Sequence, residues 1–103
     1  MVLFLDHTID ITSVADAVWR FTNNVDPKRD SIIAGSVLFM DGTRKTKALD
    51  GFERDWPNIL VSEQATIERI DKLWDKLGLG TFIPSPSLKY QKQLYKGGAV
   101  VEE

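Results

Sequence analysis

The stretch that decides the fold is Ser31–Gly42, which reads SIIAGSVLFMDG. Gly35-Ser36 separates two short apolar runs, and Asp41-Gly42 closes the second run with a turn signal. Short runs of this kind, rich in strand-forming side chains and bounded by turn residues, are typical of β-strands. The pattern leaves two interpretations open, namely one strand with a bulge at the glycine or two short strands.

A strand and a helix precede this stretch. Val2–Leu5 is fully apolar and ends at Asp6, as a buried strand does. Ser13 begins a helix through a capping box in which Asp16 stands where Glu or Gln is commoner. Asp26-Pro27 ends it, because the residue before a proline disfavours helical dihedral angles. Helical spacing predicts the buried face of this helix to be Val14, Val18, Phe21 and Val25.

A loop, a third strand and a second helix are predicted beyond residue 42. We expect Thr43–Asn58 to be a long ordered loop held by Phe52 and Trp56, and Ile59–Val61 to be a short strand. Ser62 is the expected N-cap of the second helix. That helix should end at Gly78 in a left-handed conformation. Its predicted buried stripe is Ile67, Ile70, Trp74 and Leu77.

The order of these elements predicts an α/β fold with a small mixed or parallel sheet, flanking helices and an extended C-terminal arm. We expect residues 1–80 to form the α/β domain and residues 81–103 to form an arm or tail for packing or oligomer contacts. Pro84 and Pro86 favour an extended conformation in the arm. Because two helices are little cover for an apolar sheet, we expect the arm or a neighbouring chain to supply the remainder.

Composition excludes several classes of function. The chain has 103 residues, a net charge of −2 and no cysteine, so disulfides, zinc–thiolate sites and a thiol nucleophile are excluded. The charge balance argues against binding to nucleic acid through a basic field. No apolar run approaches the ~20 residues that span a bilayer, and Met1–Asp6 lacks the form of a signal peptide. We therefore expect a cytoplasmic protein. A strand directly after Met1 also suggests a piece cut from a longer chain.

Two polar segments have both a functional interpretation and a simpler structural one. His7 is the only histidine and lies between Asp6 and Asp10, so a small hydrolase with a Ser-His-Asp arrangement is formally conceivable. There is no G-x-S-x-G motif, and a solvated loop histidine is the preferred interpretation. Asp26–Asp30 offers a carboxylate–guanidinium pair, although a helix stop with a local salt bridge explains it as well.

The segment after the central run carries the candidate contact residues. A glycine turn followed by hydroxyls and two cations can hold an anion through backbone N–H groups and charge. The patterns of nucleotide-binding loops are absent. We expect no catalytic residue and no metal ligand in the chain. The candidates for interface or anion contact are Asp41, Thr43, Arg44 and Lys45.

Five segments between residue 2 and about residue 80 resemble the C-terminal domain of the UbiD family of carboxy-lyases, and they occur in the same order as in that family. The most specific is Val18–Asp30, which is similar to a V-x-W signature that runs on to D-P-x-R-D. The others are the strand leading to Asp6–Ile11 (D-x-x-I-D-I), Met40–Lys45 (G-x-D-A-T-x-K), Arg54–Pro57 (R-x-W-P) and Ile70–Trp74 (I-D-x-x-W).

The resemblance implies a larger parent enzyme. Family members carry an upstream domain with a Glu-Arg-Glu catalytic set, a divalent metal (manganese) and prenylated FMN. They remove or add carboxylate on aromatic or unsaturated acids, including an intermediate of quinone synthesis. The resemblance thus implies a noncatalytic domain that holds no cofactor itself. Its partners would be the upstream catalytic domain and further copies in a homo-oligomer.

Two features depart from the family pattern. Val37 stands where many members carry lysine, and the segment between Asp30 and Gly35 is shorter. They suggest a divergent branch with a different substrate or a differently closed site. The alternative function is a stand-alone α/β interaction module without catalytic activity, whose proline arm grips a partner subunit.

Overall fold

The computed structural model describes all residues from Met1 to Glu103 and confirms the mixed α/β fold class. A three-stranded sheet is formed by β1 (Val2–Phe4), β2 (Ser31–Ala34) and β3 (Val37–Asp41), in the order β1-β3-β2. The central strand β3 pairs in parallel with β1 and antiparallel with β2. The sheet is therefore mixed, and β1 and β2 are its edges.

The central stretch forms two strands rather than one bulged strand. Gly35 has φ +59°, a conformation that glycine adopts without steric penalty, and it lies in the tight turn between β2 and β3. The register pairs Ile32 with Phe39 and Ile33 with Leu38. Ile32 is 69% exposed and Ile33 is 76% exposed, so the outer strand of the hairpin lacks cover on both faces.

Five helices and two short 3₁₀ turns complete the chain. The predicted Ser13 cap is confirmed, since its hydroxyl accepts the N–H of Asp16. Gly78 has the predicted left-handed conformation, with φ +64°. The helices are α1 (Val14–Asn24), α2 (Pro27–Asp30), α3 (Lys47–Asp50), α4 (Gln64–Leu73) and α5 (Ser87–Tyr90), and the 3₁₀ turns are Trp74–Lys76 and Gln91–Gln93.

The buried face of α1 is polar, which corrects the sequence prediction. Val14 is 77% exposed and Val18 is 54% exposed, whereas Asp16, Arg20 and Asn24 are buried. These three residues lie four apart and therefore share one helical face. Tertiary contacts, not hydrophobic periodicity, select this face. Of the predicted apolar stripe, Val14 and Val18 lie in solvent, whereas Phe21 and Val25 are half-buried.

Several local predictions are also wrong. The predicted strand Ile59–Val61 has no strand structure, and Pro57 forms only an isolated bridge with Val100. The predicted loop contains α3, which is capped by the hydroxyl of Thr46. The N-cap of α4 is Glu63 rather than Ser62, with no side-chain hydrogen bond.

The stripe of α4 is only partly buried. Ile67 is 4% exposed, but Ile70 is 36% exposed and Leu77 is 47% exposed. Trp74 lies just beyond the helix, in the 3₁₀ turn, and is half-buried.

Contacts divide the chain into two compact units, Met1–Trp56 with Glu103, and Pro57–Glu102. Residue 80, where the sequence analysis places the end of the domain, lies inside the second unit, and that boundary stays a prediction. In the second unit, the side chain of Asn58 donates to the carbonyl oxygens of Tyr95 and Gly98 and accepts the N–H of Tyr95. One buried amide thus ties the start of this unit to its end.

Of the arm predicted over residues 81–103, residues 81–86 form an extended segment without helix or strand, called the extended arm below, whereas residues 87–93 form α5 and the second 3₁₀ turn. Phe82 meets Trp74 edge to face at a centroid distance of 5.4 Å, and the Trp74 indole N–H donates to the Gly80 carbonyl at 2.9 Å. The arm therefore packs beside α4 of its own chain. None of the helices combines the length and the hydropathy that a membrane crossing requires.

Candidate functional site

A cluster of buried charges in the first unit begins at the short helix α2. The carboxylate of Asp26 caps this helix by accepting the backbone N–H groups of Lys28 and Arg29. Pro27 occupies the first turn, where its missing N–H leaves no donor unsatisfied. In return, the backbone N–H of Asp26 donates to Asp30 Oδ2 at 2.7 Å. The Asp-Pro sequence thus builds a turn that fixes Asp30.

Arg29 holds the carboxylate of Asp30 in a fork. Its Nε lies 2.7 Å from Asp30 Oδ1, and its terminal nitrogen lies 2.6 Å from Oδ2. The same nitrogen donates to the carbonyl oxygen of Asn24 at 3.0 Å, and the guanidinium lies 5.4 Å from the ring centroid of Phe52. Two parallel charge-assisted bonds fix geometry better than a single one. The carboxylate–guanidinium pair proposed from the sequence is present.

Lys45 forms the centre of the cluster and is buried, with its side chain 2% exposed. Its Nζ lies 2.9 Å from Asp41 Oδ2 and 3.6 Å from Asp30 Oδ1. It also donates to the backbone carbonyls of Asp41 and Thr43. Buried ammonium groups persist only with charge partners and hydrogen bonds. Lys45 has both, and through them it joins α2 to the turn after β3.

The turn itself is built by Asp41, Gly42 and Thr43. Asp41 Oδ1 accepts both the backbone N–H and the hydroxyl of Thr43. Gly42 donates to the carbonyl of Phe4, and its own carbonyl accepts Asn24 Nδ2 at 2.8 Å. A Cβ at residue 42 would lie only 3.3 Å from Phe4 O. Glycine therefore lets this turn approach β1 closely.

The cluster lowers the pKa of both carboxyl groups. Burial raises the pKa of Asp30, but the hydrogen bonds from Arg29 and the Asp26 N–H, with the charge of Lys45, outweigh it. Burial likewise raises the pKa of Asp41, and the bonds from Thr43 and Lys45 outweigh it. Both groups therefore titrate below the ordinary value of 3.8. The hydrogen bond to Asp30 raises the pKa of Arg29.

A cavity of about 290 Å³ lies against this cluster. One part of its wall is apolar and comes from the sheet, through Phe4, Ile32 and Phe39. The other part is charged and includes Arg29, Asp30, Asp41 and Lys45. An apolar face of the sheet thus ends at a group of two cations and two carboxylates whose charges balance.

The four candidate residues from the sequence have different environments. Asp41, Thr43 and Lys45 meet in the cluster, whereas Arg44 contributes a backbone N–H that donates to Asp6 Oδ2 at 3.1 Å. The N–H groups of residues 43, 44 and 46 all donate to carboxylates of the chain itself. Carboxylates of the protein thus occupy the donors that an external anion would use, and contact with an anion or partner stays a prediction. His7 is exposed and does not line the cavity.

No sequence pattern indicates the role of Asn24 or the pairing of Asp30 with Lys45. Asn24 is 18 residues from the carbonyl that it contacts, and Asp30 is also far in the sequence from Lys45. Asp41 and Lys45 do lie four residues apart, but this spacing indicates an ion pair only on a helix, and residues 42–45 form no helix.

The residues of this chain do not fit the cofactors of the UbiD family. No three His, Asp or Glu side chains converge where a metal ion could bind. The two cations of the cluster, the partly exposed Arg29 and the buried Lys45, already face carboxylates at 2.6–3.6 Å and so are engaged within the chain rather than by a flavin phosphate. No chemical step can be derived through prenylated FMN or manganese from these residues.

Comparisons with known proteins give a distant relative and no function. No protein-family model matches the chain. An uncharacterized protein of Aquifex aeolicus (strain VF5) is 29% identical over an alignment of 94 residues, and the match covers 76% of this chain and 19% of that protein. The chain thus spans about a fifth of the length of this curated relative.

Proposed function

We propose that the chain is the C-terminal, noncatalytic domain of a prenylated-FMN-dependent (de)carboxylase of the UbiD type. The parent enzyme acts on aromatic or unsaturated acids, with quinone biosynthesis as a candidate pathway, and it works in the cytoplasm. Its upstream domain supplies the Glu-Arg-Glu set, the prenylated FMN and the manganese. This chain supplies structure and contact surface.

One observation carries the proposal: segments that resemble the family separately in sequence are joined by direct contacts. The carboxylate of Asp30, from the D-P-x-R-D segment, meets Lys45, from the segment similar to G-x-D-A-T-x-K, at 3.6 Å. Asp6, from the D-x-x-I-D-I segment, accepts the N–H of Arg44. A fold shared with the family would bring these segments together in this way, and the contacts support the proposal in that sense.

Uncovered apolar surface supports a parent of greater size. On the sheet, Phe4 is 52% exposed and Ile33 is 76% exposed. On α1, the Val14–Val18 stripe also faces solvent. Exposed apolar groups on several elements of one small unit are typical of surfaces that meet another domain or subunit. In the proposed parent enzyme, the upstream domain and further copies of the protein bury these apolar groups.

The buried ions have a positioning role in this proposal. Because the charges of Asp30, Arg29, Lys45 and Asp41 balance, the cluster has no net charge with which to attract an acid substrate. It fixes the turn at Gly42 against β1 and so shapes the sheet face that would contact the catalytic domain. Substitution at the cluster should therefore affect activity through assembly rather than chemistry.

The decisive experiment is to express the complete native gene and assay its product. We expect a protein several times longer than 103 residues that releases carbon dioxide from a hydroxybenzoate or an acrylic acid when loaded with prenylated FMN and manganese. Lys45→Met in that protein should lower flavin retention and oligomer stability. The matched control is Lys92→Met, which changes an exposed lysine outside the cluster.

Two outcomes would overturn the proposal. Carbon dioxide release by the 103-residue chain alone would place the chemistry in this chain. A native product that consists of this chain only, without an upstream flavin domain, would favour the stand-alone interaction module. Intact mass spectrometry of the protein from its own organism separates that case from the parent enzyme.

A further inference from the structure

A second cavity, of about 320 Å³, lies in the second unit between α4 and the extended arm. This volume is at the lower end of the range for small-molecule sites. Most of its wall is apolar and comes from both sides, with Ile67, Ile70 and Trp74 on the helix side and Ile83, Pro84 and Pro86 on the arm side.

Hydrogen bonds and a ring contact at both ends of this cavity hold its wall in place. The indole N–H of Trp74 donates to Gly80 O, and Phe82 packs against the same ring. At the other end, the N–H of Ser62 donates to Ser87 Oγ at 3.0 Å. Two prolines stiffen the arm between these points. The cavity is therefore preformed, and ligand binding would require little further ordering of the protein.

The polar part of the wall has one charge. Asp71 is the only acidic or basic side chain among the lining residues, and Ser62, Thr66 and Ser85 add hydroxyl groups. Asp71 takes part in none of the salt bridges of the structure. An apolar pocket with one unpaired carboxylate selects a ligand with an apolar body and one cationic end.

We propose that this cavity is a binding site for small apolar amines, with the ammonium group on Asp71 and the apolar body between Trp74 and Ile83. The site lies in the unit that does not contain the Asp30–Lys45 cluster, and it does not depend on the proposed decarboxylase function. The expected ligand class is a protonated primary amine on an aromatic or branched aliphatic body. Acids of similar shape should be rejected by the carboxylate.

The test is titration of the full 103-residue chain with three probes of matched shape: 2-phenylethylamine, 2-phenylethanol and 3-phenylpropanoate. Binding is followed by two-dimensional NMR, with the Trp74 indole N–H as reporter. We expect saturable shifts with the amine and a dissociation constant of about 1 mM, a realistic value for so small a ligand. The alcohol should bind about fivefold more weakly, and the acid should not bind.

Asp71→Asn should weaken the amine about fivefold and leave the alcohol unchanged. The matched control is Asp75→Asn, which removes an exposed carboxylate that does not line the cavity. The proposal is wrong if the amine causes no saturable shift, if the three probes bind alike, or if both variants behave alike. The comparison of the probes on the unsubstituted protein remains decisive even if Asp71→Asn unfolds.

Discussion

The Nζ of Lys45 lies 3.6 Å from Oδ1 of Asp30, and each of the two side chains is only 2% exposed. Burial of this kind makes the pair mutually dependent, because either charge alone would be left without compensation in a poorly solvated site. The two residues come from segments that flank the β-hairpin. Their contact therefore closes the hairpin region into one unit and links its stability to a few ionisable groups.

Lys45→Met should destabilise the protein by about 2–3 kcal/mol, because it leaves Asp41 and Asp30 short of a buried partner. The value lies below the usual loss for a broken buried pair, since Asp30 keeps Arg29 and the side chain of Asp41 is 42% exposed. Urea denaturation measures the free energy of unfolding. Lys47→Met, at an exposed site on α3, is the control and should cost less than about 0.5 kcal/mol. Equal values for both variants would contradict the assigned role of the cluster.

Acid should unfold the protein through Asp30 and Asp41. Their pKa values in the folded protein lie below 3.8, so the unfolded chain takes up protons more readily. Their contribution to stability is therefore complete above that value and is lost as the pH falls through the lower, folded pKa values. We expect the free energy of unfolding to fall between about pH 5 and pH 2, with a shallower slope in Asp30→Asn. The control is Asp55→Asn, which changes an exposed carboxylate. If the free energy of unfolding depends on pH with the same slope in both variants, Asp30 is not a source of the acid sensitivity.

Trp74 should stabilise the second unit through both its ring and its indole N–H. Trp74→Phe keeps an aromatic ring beside Phe82 but removes the 2.9 Å bond to Gly80 O, and should cost about 1 kcal/mol. Trp74→Ala removes both and should cost about 3 kcal/mol. Thermal unfolding of the two variants checks the order. Losses of equal size would mean that the ring contact contributes nothing.

Two adjacent glycines near the C-terminus should differ strongly in their tolerance of alanine. Gly97 has φ +105°, and a Cβ there would meet Val100 O at 2.1 Å, whereas a Cβ at Gly98 meets nothing within 4 Å. Gly97→Ala should destabilise the fold by more than about 2 kcal/mol, and Gly98→Ala should change it by less than about 1 kcal/mol. Hydrogen exchange at the Glu102 N–H, which donates to Lys96 O, reports the local effect. Similar exchange in both variants would count against the turn geometry.

The sequence was informative where the determinants are local. The strands β1, β2 and β3 follow from short apolar runs, and the limits of α1 follow from Ser13 and Pro27. The helix face was predicted wrongly because the periodicity of Val14 and Val18 marks an apolar stripe without telling what covers it. The buried face is chosen instead by remote contacts such as Asn24 to Gly42 O.

The same distinction applies to the site. The Asp26–Asp30 turn and the Asp41–Lys45 spacing are visible in the sequence, but the contact of Asp30 with Lys45 depends on how the hairpin folds back. Ile59–Val61 has strand-forming side chains, yet no strand pairs with it. Strand propensity alone does not create a neighbouring edge for hydrogen bonding.

The exposed outer strand β2 has a consequence for the behaviour of the protein at high concentration. Ser31–Ala34 carries no charge, and its two isoleucines are exposed on opposite faces of an unpaired edge. An unpaired edge of this kind pairs readily with a strand from another molecule. Natural proteins prevent this by placing a charged residue, often lysine, on the edge. We expect Ile33→Lys to raise the concentration at which the isolated chain precipitates, as measured by static light scattering. Residues 32 and 33 would then face two opposing demands, solubility of the chain alone and, in the proposed parent enzyme, contact with another domain.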